Sequence, residues 1–382
     1  MGPEAFSSPE KAFAVAALAS GARVDGRRPP DGRRVSITLS PTTPGSATAS
    51  FGPTVATAAV SVRATPPRPG RPIEGTLSVS VTPSAAASEA AAAAALSRRA
   101  AGAGGAATPD VVRLVEGALR SSRALDTEAL CIVAGALVWA VTVEVTLVAD
   151  AGNAGDVATA AAVAAVLGAR RPDVSVRGGE ATIHSLEERE GVPLPVAHVP
   201  FAVTFALFAD PGGGGATAGG HGGGALVAVD PISQEEAAAD GTLSLTMNAH
   251  GEVCGLVKSG GLPVPPSLIV SCAQAAAERV LTLTRIAQRA VDDSAAAAAA
   301  AVMGSGAESV ARTARRPVEH PLAAARPVLV DRQQPMPLGV AGAAETTAGG
   351  GKRRRRNEGQ VVHAPAPTIL GEDAMADGSD GE

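Results

Sequence analysis

The chain has 382 residues, of which 46% are hydrophobic and 18% charged, with a formal net charge of -5, one Trp and no Tyr. That length holds a sizeable core, as one large or two medium domains, and Val, Leu, Ile and Ala have to build it. The negative balance excludes nucleic-acid binding by bulk charge, so any such contact must come from a local basic cluster.

In chain order, a helix is expected from about Ser8 to Ser20, with Phe13, Ala17 and Leu18 inward, until the charged, Gly- and Pro-bearing run Arg23–Arg34 breaks it. Strands follow. Val35, Ile37 and Leu39 alternate with Ser36 and Thr38; Ala47, Ala49 and Phe51 repeat the pattern; Val55–Arg63 and Leu77–Val81 add two more, together an antiparallel, half-buried sheet. The Ala/Gly-rich stretch from Pro83 to Ala107 is too simple in composition to specify packing and reads as a loop. Thr108 as N-cap, Pro109 in the first turn and Asp110 start a helix whose stripe is Val111, Val115, Ala118 and Leu119.

Trp139, Val141, Val143, Val145 and Leu147 share one strand face opposite Thr142, Glu144 and Thr146. After the turn Asp150–Asp156, where Asp156 can cap, an Ala-rich helix runs to Leu167 and stops at Gly168. A second module begins near Val192. Val203, Phe205 and Leu207 alternate with Thr204 and Ala206, and a Gly-rich hairpin tip precedes strands at 226–230, 243–247 and 253–258. Ser267 opens a helix with Ile269, Cys272, Ala273, Ala276, Val280 and Leu283 inward. The fold class is α+β, two packed sheet-plus-helix modules over 8–180 and 190–293. From 294 to 382, Ala, Pro, Arg and Gly runs cannot bury enough apolar surface to order, so a disordered tail with a basic run is expected.

Cys131, Cys254 and Cys272 lie far apart in apolar segments, which excludes a CxxC metal pair and a disulfide framework and suits a reducing intracellular compartment; Cys131 and Cys254 read as core. His184, His198 and His250 lack metal spacing, and no metal or cofactor is expected. The first thirty residues do not read as a secretory signal, and no run approaches about 18 apolar residues, so a soluble chain is expected.

The strings LDTEALCIVAG (125–135), VW (138–139), RRPDVSV (170–176) and EERE (187–190) resemble the ribonuclease PH superfamily. Within it they are most similar to the ring subunits of the eukaryotic RNA exosome that lack the family's chemistry. Arg23, Asp25, Gly26 and Arg27 match the superfamily's opening RxDGR motif, an ion-paired turn anchoring the first strand. The resemblance implies that phosphorolytic members hold phosphate in a GGTR or AGTR turn. Here that turn is Ala151-Gly152-Asn153-Ala154 and lacks the cationic partner, a loss comparable to electrostatic deletions that cost roughly 10²–10³ in rate.

The acidic run likewise departs from the active pattern. Asp230, Glu236 and Asp240 are read as an exposed turn and strand cap, with an acidic pocket as the alternative and no Arg opposite them. No catalytic residue is assigned. Arg113, Arg120 and Arg123 are the candidate RNA-binding residues, with 113 and 120 two turns apart on one helix face. Gly117 stands where relatives often carry another basic residue.

The resemblance implies a noncatalytic hetero-oligomeric ring subunit partnered by other ring subunits, RNA-binding cap subunits and single-stranded RNA, with no membrane. The alternative is a phosphate-dependent 3'-5' exoribonuclease, alone or through a site shared with a neighbour. The basic run Lys352–Arg356 reads as a nuclear import signal, so nucleus and nucleolus are expected, with cytoplasm also.

Overall fold

The computed structural model describes residues 8–85, 87, 107–177, 180–186, 188–209, 225–302 and 318–320. Helix α1 (Ser8–Ala19) buries Ala14, Val15 and Leu18. Phe13, expected inward, is 66% exposed, because it lies to the side of the stripe that those three residues define.

The next strands are β1 (Val35–Leu39), β2 (Ser46–Phe51), β3 (Thr54–Thr65) and β4 (Thr76–Pro83). Strict alternation in β1 and β2 puts Val35, Ile37, Ala49 and Phe51 fully inside, as period-two patterning requires. Helix α2 (Ala107–Glu116) widens into a π-helical turn over Gly117–Ser121. Its assigned start precedes the expected cap at Thr108 by one residue, within the ordinary fraying of helix ends. Val111, Val115, Ala118 and Leu119 form the buried stripe, as their spacing implies.

Strands β5 (Cys131–Val133) and β6 (Leu137–Ala149) come next. Every residue of the expected inner face of β6, from Trp139 to Leu147, is buried. β6 pairs antiparallel with β3 but parallel with β4, so the expectation of a purely antiparallel sheet fails at its edge. The long connection through β5 and α2 makes a parallel return possible.

Helix α3 (Ala154–Gly168) is buried on all sides, from Ala154 to Val166 apart from Gly155. It packs on β2, β3 and β6 on one side and on β11 on the other. Alanine suits that place: a small side chain lets two sheets close on one helix, and larger residues there would overpack at about 1–3 kcal/mol each. Two short pairs follow, β7 (Arg170–Arg171) with β10 (Val192–Pro193) and β8 (Val174–Arg177) with β9 (Glu180–Ile183).

The second sheet contains β11 (Pro200–Ala209), β12 (Ala225–Val229), β13 (Gly241–Asn248) and β14 (Val253–Gly260), in the order β12-β11-β13-β14, all antiparallel, with helix α4 (Ser233–Ala238) between β12 and β13. β11 is not half-buried as its alternation suggested: both faces are covered. Phe201, Val203, Phe205 and Leu207 join the main core, while Ala206 and Phe208 join a second cluster with Ala14, Val15 and Leu18. Residues 8–19 therefore pack on the second sheet, although the sequence placed them with the first module. The Gly-rich tip lies outside the described residues, between the paired strands β11 and β12.

Helix α5 (Pro266–Val302) continues nine residues past Asp293, where the sequence reading began the tail, because its Ala run is strongly helix-forming. A three-residue strand, β15 (Val318–His320), then adds antiparallel to β1, completing the first sheet as β15-β1-β2-β3-β6-β4 with β5 on β6. The rest of the expected disordered tail, with Lys352–Arg356, lies outside the described residues, as does most of the loop 83–107. Cys272 is buried, but Cys131 and Cys254, read as core, are only half-buried. Among the described residues, no helix is long and apolar enough to cross a membrane.

Candidate RNA interface and a closed anion site

Two arginine-rich regions stand out, one open and one sealed. The open one is a cleft of about 440 Å³ at the end of the first sheet. β4 supplies Thr76 and Leu77, the π-helical turn supplies Leu119 and Arg120, the following turn supplies Arg123 and Leu125 to Glu128, and the β3–β4 connection supplies Arg68 and Arg71. Four arginines thus face three carboxylates, Glu74, Asp126 and Glu128. Arg71 pairs with Glu74 at 2.8 Å. The Arg120 Nη2 donates to the Leu77 carbonyl at 2.7 Å, and its Nη1 lies 3.7 Å from Glu116.

Of the three arginines expected to meet RNA, Arg120 and Arg123 line this cleft and Arg113 does not. The π-helical turn is the reason: it breaks the regular spacing that would have stacked 113 and 120 on one face. Arg68 and Arg71 were missed. Their signal was a basic pair inside the Pro/Gly turn PPRPGRP joining two strands, but only folding brings that turn beside α2.

The sealed region centres on Asp230, fully buried where β12 ends and with a φ of 52°. The Arg33 Nη2 donates to it at 2.6 Å, the Arg33 backbone N–H at 2.7 Å and the Asn153 amide at 2.8 Å. Arg279 and Arg27 complete the surround at 3.3 and 3.6 Å. The Arg279 contact is an ion pair, and its Nη2 makes no hydrogen bond. Its guanidinium also lies 5.8 Å over the Phe51 ring, and a Cβ at Gly32 would collide with it. Burial alone would raise the Asp230 pKa, but Arg279 and Arg33 outweigh it and hold the carboxyl well below the usual carboxylate range. The reading of Asp230 as an exposed turn residue with no Arg opposite is therefore wrong, since folding brings it partners remote in sequence, Arg33 from 197 residues away.

The opening motif is part of the same assembly. Arg23 is buried and ion-paired with Glu235, and its guanidinium also donates to the carbonyls of Val229 and Asp230. Asp25 pairs with Arg27 at 2.6 Å. Asp240 is the strand-associated cap the sequence suggested, accepting from the Ala209 N–H at 2.8 Å and pairing with Lys11.

The turn 151–154 closes onto these acids. Gly152 has a φ of 99°, and any Cβ there would collide with the Ile232–Ser233 backbone. Ser233 N–H donates to the Ala151 carbonyl at 3.0 Å. Asn153, left-handed at the N-cap of α3, sends its backbone N–H to the Glu236 carboxylate at 2.7 Å. A helix N-terminus is an anion site by its free N–H groups and dipole; here an internal carboxylate takes it.

Asp156 does not cap the helix as expected. It accepts from Thr204 through both the N–H, at 2.9 Å, and the hydroxyl, at 2.7 Å, and from the Asn153 amide, tying α3 to β11. Burial pushes its carboxyl up to about 6 against those hydrogen bonds. Among the described residues, no group of three or more His, Cys, Asp or Glu side chains could hold a metal ion.

Two sheets enclosing a central helix, a turn-and-carboxylate junction between them and an arginine-lined cleft define the class. Residues 31–172 match the first domain and 198–279 the second domain of the 3' exoribonuclease family, and the chain belongs to that family. It is 34% identical over 303 residues to the exosome complex component rrp45 of Schizosaccharomyces pombe, covering 78% of this chain and 95% of that protein. It is also 34% identical to the exosome complex component RRP45 of Bos taurus, covering 75% of this chain but 60% of that protein. A solved structure titled archaeoglobus fulgidus exosome with RNA bound to the active site shares the fold, with a TM-score of 0.55 at 23% identity over 72% of this chain and 97% of that one.

Proposed function

We propose that this chain is a noncatalytic ring subunit of an RNA exosome core, supporting 3'-5' RNA processing by guiding single-stranded RNA towards an associated nuclease. Its curated relatives are named exosome components. The observation that carries the noncatalytic part is the Asn153 backbone N–H held by Glu236, in a turn with no basic side chain. An incoming phosphate would have to displace that carboxylate, and the guanidinium that reaches the turn, Arg33 donating to the Gly152 carbonyl at 3.0 Å, is already paired with Asp230.

Arg120 and Arg123, with Arg68 and Arg71, are the RNA-facing groups; they hold phosphates without reading bases. Arg113 stands outside the cleft and contributes at most long-range charge. The other partners in this reading are neighbouring ribonuclease PH-like ring subunits and RNA-binding cap subunits. Nuclear and nucleolar residence, with a cytoplasmic pool, is proposed from the Lys352–Arg356 run.

The test is co-expression with a catalytic-type ring subunit, followed by size analysis and RNA binding by the purified pair. A stable hetero-oligomer that retains RNA in a salt-dependent way is expected. A chain that stays monomeric beside every ring subunit would sink the proposal.

A further inference from the structure

Arg123 has a φ of 57°, in the left-handed region that a residue bearing a Cβ enters at a cost of about 1–2 kcal/mol. Such strain persists where the surroundings over-determine it. The preceding turn supplies part of the hold: the Ser122 hydroxyl donates to the Ala118 carbonyl, and the Ala124 N–H donates to the Ser122 hydroxyl oxygen at 3.2 Å.

The rest comes from the segment leading into β11. The Ala197 N–H donates to the Ala124 carbonyl at 2.8 Å, the Asp126 N–H to the Pro195 carbonyl at 2.9 Å, and Leu125 bridges Val196. His198 completes the clamp, its Nε2 lying 2.8 Å from the Ser122 carbonyl oxygen. That carbonyl belongs to the peptide unit ending at the Arg123 nitrogen, so the imidazole fixes the plane about which the Arg123 φ is measured. A carbonyl only accepts, so Nε2 carries the proton; Nδ1 is buried with no hydrogen-bond partner.

We infer that His198 is a positioning residue for RNA binding: from the second module it locks the Ser122–Arg123 peptide and thereby aims the Arg123 guanidinium into the cleft. This rests on the RNA reading of that cleft. The Arg123 N–H also donates to the Arg120 carbonyl at 3.2 Å, but the Arg120 guanidinium has its own anchor in the Leu77 carbonyl, so the effect falls on Arg123.

The experiment measures binding of the full chain to a labelled single-stranded oligouridylate across a range of salt concentrations. Arg123→Ala weakens binding by roughly tenfold, the scale of one charge-assisted contact, and flattens the salt slope by about 0.7, the share of one phosphate. His198→Leu, which keeps bulk and loses the donor, reproduces most of both changes. His198→Gln restores them, because its amide reaches the same carbonyl. Added to Arg123→Ala, His198→Leu costs nothing more; added to Arg120→Ala, it costs its full amount.

Wild-type binding by His198→Leu, an equal loss in the Arg123→Ala background, or failure of His198→Gln to restore binding would each overturn the inference. Should His198→Leu not fold, His198→Asn, whose shorter amide stops short of the carbonyl, takes its place against His198→Gln. If Arg123→Ala itself leaves affinity and slope unchanged, the cleft reading falls instead.

Discussion

The two arginine-rich regions use the same side chain to opposite ends. Around Asp230 the guanidinium groups of Arg33, Arg279 and Arg23 are turned inward, matched by Asp230 and Glu235 and shut from water, with Arg27 at the edge. In the cleft, Arg68, Arg71, Arg120 and Arg123 face carboxylates on an open surface. Burial and pairing decide the difference. A guanidinium whose donors are met by internal carboxylates and carbonyls holds the fold together, whereas one left partly solvated keeps charge available for a phosphate.

The largest expected effect breaks the sealed side. Asp230→Ala strands several buried arginines without their shared partner, a loss of about 3–5 kcal/mol, which chemical denaturation would read as a large share of a stability of about 5–15 kcal/mol. Retention of wild-type stability by that variant would mean the arginines re-pair or re-solvate at little cost.

The next concerns Asp156. Its ordinary value is 3.8 and its folded value about 6, so the native state holds a proton that the unfolded chain has lost between those pH values. Its contribution to stability is therefore full below about 3.8 and is lost as pH rises through about 6. Asp230, depressed, does the reverse: its contribution is present above 3.8 and is lost as pH falls below it. Relative to Asp156→Asn, wild-type stability should decline by roughly 2–3 kcal/mol between pH 4 and 7; a flat difference would contradict the burial account.

On the open side, combining Arg120→Ala with Arg123→Ala should cost RNA affinity more than tenfold and flatten the salt slope by about 1.4, with a stability loss of about 1 kcal/mol from the Arg120 bond to the Leu77 carbonyl. Unchanged binding would place the RNA elsewhere. Smallest of all, Arg113→Ala should leave affinity within about twofold at physiological salt, where screening mutes distant charge; a loss equal to that of Arg123→Ala would restore the idea of one basic helix face.

Much of this was legible in the sequence because it depends on neighbours. Alternation gave the buried faces of β1, β2 and β6, and the apolar stripe from Val111 to Leu119 gave the inner side of α2. What failed was long-range. Thr204 reads as the polar face of a strand, yet its hydroxyl meets Asp156 and Ser244 inside the protein. Asp230 reads as a turn acid, and nothing local announces Arg33 or Arg279. Arg120 and Arg123 could be singled out through the resemblance, but their grouping with Arg68 and Arg71, and the exclusion of Arg113, depends on a π-helical turn that the run Gly117–Ser121 does not advertise.

The central claim is that the turn 151–154 has exchanged phosphate for an internal carboxylate. Phosphate-dependent release of nucleoside diphosphates from single-stranded RNA by the purified chain tests it most directly. No release above background is expected, at salt concentrations where the same preparation binds the RNA. Release that rises with inorganic phosphate would contradict the account.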